Sequence, residues 1–316
     1  MTKKIIITLV CIFIFSGIGA IIAFGASDRV DFNKTIKIDE EKVFTIDDVD
    51  QLNIKSTSAD VNFIYVDSNE IKVKYYGEIN CFLCKVDYKL NASKSNKTIE
   101  FNVNNTSFNF GISFFGDVNM DVYLPSTYEG NLYISTVSSD VKLHDMTLDY
   151  LNIRSVSGEV EASNLTLNKA RFKSISGDID IKNMTVANGT TIHTTSGEIS
   201  LDTVTSQISL DSISGDIEVD ALSGNLNASS TSGDLEINEI SDNFDIRVNS
   251  VSGDVVLDVN QDASFNFATD SISGDIKIKF EYLVSGSNYE HHVSGRVGDS
   301  SNNININTTS GDITIK

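Results

Sequence analysis

The hexapeptide "SISGDI" occurs at residues 174–179, 212–217 and 271–276, and close variants of it recur along the chain. Together these segments place glycines at equivalent positions: Gly158, Gly177, Gly197, Gly215, Gly233, Gly253, Gly274 and Gly311. The first seven follow one another at intervals of 18 to 21 residues, and 37 residues separate the last two. Because a period near 19 residues is too short for a helical hairpin, it predicts two strands and two turns in each repeat.

Apolar residues alternate with polar ones on both sides of each glycine. Leu226 and Ala228 precede Gly233, and Leu235 and Ile237 follow it. A period of two indicates strands with one buried face. A single repeat cannot bury that face alone, so neighbouring repeats must stack at about 4.8 Å per rung. The sequence therefore predicts an all-β fold, either a β-solenoid or a closely related stacked β-strand-repeat fold, with about 19 residues per coil.

Each repeat carries residues that are typical of turns. A hydroxyl three residues before the glycine has the parity of the inward apolar residues, which predicts an internal hydroxyl ladder. The glycine permits either a positive φ or a close approach of two backbones. The acid after it can accept backbone N–H bonds of the turn. We interpret the eight glycines as structural turn residues.

The acids that follow the glycines would form a column of like charges. Divalent cations, calcium above all, prefer such hard oxygen ligands. The weak candidate ligands are Asp178, Asp216, Asp234, Asp254 and Asp275. The glycine-rich nonapeptide of calcium-binding β-rolls is absent, however. We therefore predict no cofactor, with weak calcium binding as the alternative.

The repeated serines do not suggest catalysis. A nucleophilic serine needs a base beside it, and all these serines occupy equivalent corners. The histidines follow no repeat position that is paired with an acid; they are His144, His193, His291 and His292. No acid differs from the others in its column, which disfavours a polysaccharide-acting β-helix enzyme. We predict that the protein is not an enzyme.

The C-terminal part of the repeat is irregular. The segment "HHVSGRV" at residues 291–297 resembles a degenerate copy that would place Gly295 in the glycine column. The sequence ends at Lys316 in the middle of a repeat. We expect an unpaired strand edge there, which would permit end-to-end self-association.

The N-terminus differs in character from the rest. Lys3 and Lys4 precede an uncharged apolar run at residues 5–24, about the 20 residues that a membrane-spanning helix needs. The lysines would stay in the cytoplasm and the remaining chain would face outside. We predict one N-terminal transmembrane helix in a single-pass membrane protein. Secretion after cleavage of a signal peptide near Gly25 is the alternative.

The predicted layout has four parts. Residues 1–25 form the membrane anchor or signal peptide, and residues 26–43 form a connector. Residues 44–125 form a degenerate β-repeat part with a CxxC insert, and residues 126–316 form the regular repeats. The insert contains Cys81 and Cys84, which could form a disulfide outside the cell or remain free thiols. Zinc would need two further ligands, and none is visible nearby.

The formal net charge of −20 limits the possible partners. Nucleic acid is excluded because the phosphate backbone attracts basic surfaces. Anionic lipid or wall polymer would also be repelled unless divalent cations bridge the two. Cationic peptides or basic protein surfaces would be attracted. The candidate partners are therefore envelope proteins, wall polymer or cationic peptides, in addition to the membrane through residues 5–24.

The serial "SxSGDIxI" units, and the leader "VYLPSTYEGNLYISTVSSDVKL" at residues 122–143, resemble a large bacterial family of adhesin-like β-strand-repeat domains of unknown function. The resemblance covers about residues 44–316. It implies a stacked β-repeat fold, an envelope location and frequent association with membrane-stress signalling, and it brings no catalytic residues. We thus expect an extracytoplasmic adhesin or scaffold anchored in the membrane. The alternatives are an envelope-stress sensor that captures cationic peptides and, less favoured, the polysaccharide-acting enzyme.

Overall fold

A computed structural model of the chain describes residues 34–82, 88–105, 112–114, 116–241, 244–285, 289–299 and 302–316. In these ranges every regular element is a β-strand, and no helix suited to crossing a membrane occurs among them. The apolar run at residues 5–24, Cys84 and the side chain of Cys81 lie outside the described residues. The membrane segment and the disulfide therefore stay predictions.

The strands fall into an N-terminal, a central and a C-terminal group. The N-terminal group is β1 (Lys34–Thr45), β2 (Gln51–Ser56), β3 (Asp60–Val66), β4 (Glu70–Phe82), β5 (Tyr88–Ser95), β6 (Thr98–Asn105), β7 (Ile112–Phe114), β8 (Val118–Pro125), β9 (Asn131–Thr136) and β10 (Val141–His144). The central group is β11 (Thr147–Arg154), β12 (Val160–Lys173), β13 (Ile179–Val186), β14 (Thr190–Thr194), β15 (Ile199–Thr205), β16 (Ile208–Ser212), β17 (Ile217–Ser223), β18 (Leu226–Ser230) and β19 (Leu235–Ile240). The C-terminal group is β20 (Asp245–Ser250), β21 (Val255–Val259), β22 (Phe265–Ser271), β23 (Ile276–Ile278), β24 (Leu283–Val284), β25 (His292–Val297), β26 (Asn303–Thr308) and β27 (Ile313–Ile315).

Each regular coil has three sides, which the long strand β12 shows directly. Its buried residues are Val160, Ala162, Leu165, Leu167, Ala170 and Phe172. Their spacing changes from two to three at Asn164, whose φ is +54°, and changes again after Leu167. The strand therefore bends twice around the core. We call the segments at 160–162, 165–167 and 170–173, with their equivalents in other coils, face 1, face 2 and face 3. The prediction of two strands per repeat missed the short face 2.

The coils stack in parallel and in matched register. Ile179 pairs with Val160 of the preceding coil and with Ile199 of the following one, and all three side chains are buried. Each such aliphatic side chain contributes about 1.5–3 kcal/mol when it is fully buried. The core is thus a set of aliphatic columns that run along the stack, as the solenoid prediction required.

The last coil of the chain lies inside the stack. In β26, Ile304 pairs with Ile246 on one side and with Phe267 on the other. In β27, Ile313 pairs with Val255 and with Ile276. The coil formed by β26 and β27 is therefore inserted between two coils that precede it in sequence. The expectation of an unpaired edge at the C-terminal strand was wrong, because β27 has a hydrogen-bonded neighbour on each side.

The N-terminal end is built in the same way. Leu52 in β2 pairs with Ile99 and with Leu132, so β2 lies between β6 and β9. The following strand, β3, likewise lies between β8 and β10. Antiparallel strands β1, β4 and β5 cover the outside of this end. Both the first and the last coil in sequence are therefore enclosed by other strands.

The segment "HHVSGRV" is not a degenerate coil. It forms β25, which runs antiparallel to β22 and places Gly295 opposite Phe267. A Cβ at Gly295 would lie 2.5 Å from Tyr282 Cδ2 and 2.9 Å from Phe267 Cζ. This glycine leaves room for two packed aromatic rings whose centroids are 5.1 Å apart. The assignment of Gly295 to the glycine column was wrong.

Candidate functional site

The hydroxyls before the glycines are structural. Ser250 Oγ donates to the Gly253 carbonyl oxygen at 2.8 Å and accepts from the Gly253 N–H at 3.0 Å, and Ser230 bonds Gly233 in the same way. The predicted internal ladder is confirmed by the burial of Thr136, Ser155, Ser174, Thr194, Ser212, Ser230, Ser250, Ser271 and Thr308. These hydroxyls mostly close their own turns, so they are not available to attack a substrate.

The eight repeat glycines meet in one column, and close backbone approach explains them. A Cβ on Gly233 would lie 2.1 Å from the Gly215 carbonyl oxygen, and a Cβ on Gly253 would lie 1.9 Å from that of Gly233. The described glycines with positive φ lie elsewhere, at Gly77, Gly189, Gly224 and Gly298. The sequence left open either a positive φ or a close backbone approach at these glycines, and the structure shows the close approach. We call the turn around this column the glycine corner.

The acids after the glycines form a hydrogen-bonded ladder. Asp216 Oδ1 accepts from the backbone N–H of Asp234, and Asp234 Oδ1 accepts from that of Asp254, both at 2.8 Å. These bonds join successive coils, whereas the sequence suggested bonds within one turn. Among the described residues, Glu159 and Glu198 occupy the same column and accept no such bond. Glutamate has one more methylene than aspartate, so its carboxylate does not take the same position relative to the backbone.

The predicted divalent ligands lie in this exposed column, and the structure brings no further ligands to them. Each of Asp178, Asp216, Asp234 and Asp254 uses one oxygen for a backbone bond, and Asp275 donates its own N–H to the ladder. In the described part of the chain, no three carboxylate, thiol or imidazole groups converge on one point. Calcium binding stays a prediction.

The column is part of a wider acidic surface. Burial raises the pKa of Glu159, and the nearby carboxylates of Glu161, Asp140 and Asp178 raise it further. The pKa of Glu218 is raised by burial and then by Asp220, Glu236 and Glu198. We call the acid column, together with the acids that neighbour it on face 1, the acidic strip. Like charges crowd here enough to make ionisation harder.

The histidines do not complete a catalytic set. His144 Nδ1 lies 2.8 Å from Ser163 Oγ, a contact that sequence reasoning missed because the two residues lie in adjacent coils. His292 Nδ1 lies 2.6 Å from Asp270 Oδ1, near the other end of the stack. Among the described residues, no carboxylate is hydrogen-bonded to His144. The hydrogen bonds of the described residues therefore do not join a serine, a histidine and an acid in one set.

An open groove of about 770 Å³ runs along face 3 across several coils. Small residues such as Gly189 and Ser209 are among those that line it. The side chains with hydrogen-bonding groups along it include Lys169, Thr191, Gln207, Asn227, Arg247 and Asn305. Sequence reasoning missed this groove, although the outward parity of these residues was readable. They are polar and vary from coil to coil, unlike the glycine corner.

Comparisons with known proteins agree with the repeat pattern. The sequence model of the Toastrack DUF4097 family matches residues 49–316. No curated protein matches the chain. Similar solved structures include a candidate adhesin from Bacteroides fragilis, with 13% identity, coverage of 90% of this chain and 97% of that chain, and a TM-score of 0.47. Another is a candidate lipid-binding protein from Parabacteroides distasonis, with 14% identity, coverage of 88% and 97%, and a TM-score of 0.46.

Proposed function

Because the chain belongs to the Toastrack DUF4097 family, we propose that it is a non-enzymatic protein of the bacterial cell envelope, an adhesin or scaffold. Residues 5–24 would anchor it in the membrane, with the N-terminus in the cytoplasm and the β-stack outside. The stack is a continuous set of coils without a separate catalytic unit in the described residues. It would act as a rigid binding surface.

The observation that carries this proposal is the groove on face 3. Amide, hydroxyl and guanidinium groups line it from coil to coil at about 4.8 Å per rung. Amide and hydroxyl groups both donate and accept hydrogen bonds, and the guanidinium group donates them. A linear wall polymer that carries hydroxyl groups could bond several coils at once. Because the coils are held in register, the ordering of the surface is complete before binding, which lowers the entropy cost of association.

The experiment measures sedimentation of the full-length protein, in mild detergent, with polymeric cell-wall material at low and high salt. We expect binding that survives high salt and weakens in the pair Asn227→Ala and Arg247→Ala. The matched control is Thr166→Ala with Thr185→Ala, two exposed side chains on face 2. Equal binding by both double variants would contradict the proposal. Release of new reducing ends from the polymer would contradict the non-enzymatic part.

A second function, capture of cationic peptides as a stress sensor, is favoured by the acidic strip. Its carboxylates stand in register along the stack, and they add to burial in raising the pKa of Glu159. A cationic peptide would relieve the repulsion among these carboxylates. Binding driven by exposed charges weakens as salt screens them over about 8 Å at physiological ionic strength. Peptide binding that is lost at high salt, together with absent wall binding, would favour the sensor over the scaffold.

A further inference from the structure

Four cations stand together on face 3 of this acidic protein. Arg154 lies at the end of β11, and Lys169, Arg171 and Lys173 alternate with buried residues in β12. All four side chains are exposed. Within the described residues none of them forms an ion pair, although acids outnumber cations in the chain. Their charge is therefore available to a ligand.

The sheet register fixes how these cations are spaced. Arg154 pairs with Lys173, and Asn152 pairs with Arg171, so each pair is about 4.8 Å apart along the stack. Successive outward residues of one strand are about 6.7 Å apart. The cations thus form a compact two-dimensional group, which can contact more than one anionic oxygen at a time.

An open pocket of about 330 Å³ lies beside this group. Lys55, Arg154, Tyr133 and the amides of Gln51, Asn53 and Asn152 line it. Lys55 is held by Glu100 at 3.0 Å, which leaves Arg154 as the free cation of the pocket. Asn152 is buried, and its Nδ2 donates to Tyr150 Oη at 3.2 Å. The rings of Tyr133 and Tyr150 meet edge to face with centroids 5.5 Å apart, so their positions are mutually fixed.

We propose that this pocket binds an acidic sugar residue of a glycan. The guanidinium of Arg154, with Lys173 next to it, matches the carboxylate or sulfate of such a sugar. The amides match its hydroxyl groups, and the ring of Tyr133 offers an apolar surface to the sugar ring. This inference rests on the proposed function, because the pocket lies on the same face as the groove. It deepens that function by specifying the chemical class of one polymer that the face would bind.

The tyrosine and the amides favour a sugar over a simple polyanion. A phosphate chain would need only the cations, and it offers no ring to place against Tyr133. Repulsion from the acidic strip is limited, because salt screens exposed charges beyond about 8 Å. Arg154 and Lys173, which form no ion pair among the described residues, therefore attract an acidic sugar at close range.

The test measures binding of the full-length protein in mild detergent to polygalacturonate, with neutral dextran and long-chain polyphosphate as comparison probes. We expect binding to polygalacturonate that falls about tenfold or more in the pair Arg154→Gln and Lys173→Gln, as for loss of hydrogen bonds to a charged group. The pair Lys182→Gln and Lys279→Gln removes the same charge elsewhere and should bind normally. Tyr133→Leu should weaken polygalacturonate binding and leave any polyphosphate binding unchanged. Unaltered unfolding temperatures show that each variant is folded.

Three outcomes would overturn the proposal. The first is that the natural protein does not bind polygalacturonate. The second is that the control pair loses as much binding as the Arg154 and Lys173 pair. The third is that polyphosphate binds as tightly as polygalacturonate and that Tyr133→Leu changes neither binding. The last result would assign the cations to a general anion surface. Cell-wall sedimentation of the natural protein reports the proposed function separately. Intact wall binding by a natural protein that does not bind polygalacturonate would therefore reject the acidic-sugar site alone.

Discussion

Asp254 Oδ1 accepts a 2.8 Å hydrogen bond from the backbone N–H of Asp312, which follows it by 58 residues in the chain. Asp275, the next acid of the repeat in sequence, bonds Asp312 instead. The acid ladder thus follows the order of the coils in space and not their order in the chain. It ties the inserted last coil to both of its neighbours.

Replacing Asp254 separates the hydrogen bond of the ladder from its charge. Asp254→Ala removes both and should lower the free energy of unfolding by about 1 kcal/mol, the usual net value of a hydrogen bond. Asp254→Asn keeps an accepting oxygen and removes one charge from the column. We therefore expect it to match the natural protein in denaturant unfolding. An equal loss in both variants would show that charge, and not the bond, matters.

Adding one methyl group at the glycine corner should be costly. In Gly233→Ala the new Cβ would stand 2.1 Å from the Gly215 carbonyl oxygen, so neighbouring backbones must separate. We expect a loss of about 1–3 kcal/mol or more in the free energy of unfolding, as for overpacked interiors. Ser232→Ala, one residue earlier and exposed, should change it by less than about 0.5 kcal/mol. A tolerated Gly233→Ala would refute the close-approach explanation.

The buried hydroxyls should differ in their contribution according to their partners. Ser250 Oγ makes two bonds within its turn, and Ser250→Ala leaves both backbone groups of Gly253 without that partner. The expected cost is about 1–3 kcal/mol. Ser174 Oγ is buried without a hydrogen-bond partner among the described residues. Ser174→Ala should therefore be neutral or stabilising in thermal unfolding, and a loss equal to that of Ser250→Ala would contradict this.

The sequence predicts the interior of the regular coils well and their arrangement poorly. The glycine, hydroxyl and aliphatic columns were predictable because each recurs at a fixed position with a fixed parity. The insertion of Ile313 between Val255 and Ile276 was not. Every coil presents the same pattern to its neighbours, so local sequence cannot rank one partner above another.

The face 3 pocket shows a second limit. Its residues come from β2, β9 and β11, which are separated by up to about a hundred residues in the chain and are placed side by side by the sheet register. A partial signal was present in "NKARFK" at residues 168–173, where three cations alternate with apolar residues and so share one face. The partner strands that complete the pocket could only be identified from the register.

The pH dependence of stability should reveal the cost of ionising Glu159, whose pKa is raised first by burial and then by the neighbouring carboxylates of the acidic strip. The pKa of Glu159 is higher in the folded protein than its ordinary value of 4.5, so the folded state holds this proton more tightly than the unfolded state. Ionisation therefore costs stability, and the cost is fully present at pH 7 and absent near pH 3. Glu159→Gln should raise the free energy of unfolding at pH 7 by less than about 0.5 kcal/mol, measured as a small rise in the unfolding temperature. It should have no such effect at pH 3.

The matched control for this prediction is Glu281→Gln, which changes an exposed acid away from the strip. It should have no pH-dependent effect of this sign. A gain from Glu159→Gln that is the same at pH 3 and pH 7 would exclude like-charge repulsion as its cause.

The enclosed coils at the two ends constrain how the chain can assemble and come apart. A stack of equivalent repeats usually loses its terminal repeat first, because that repeat has one neighbour. Here residues 303–316 lie between two other coils, so they cannot unfold as a terminal repeat would. The coil of β22 and β23 must first separate from them. During synthesis, that coil emerges before its permanent neighbour exists, and its final place is defined only when the last residues arrive. The fold thus distinguishes a chain that contains residues 303–316 from one that lacks them, in which β20 would have to join β22 directly.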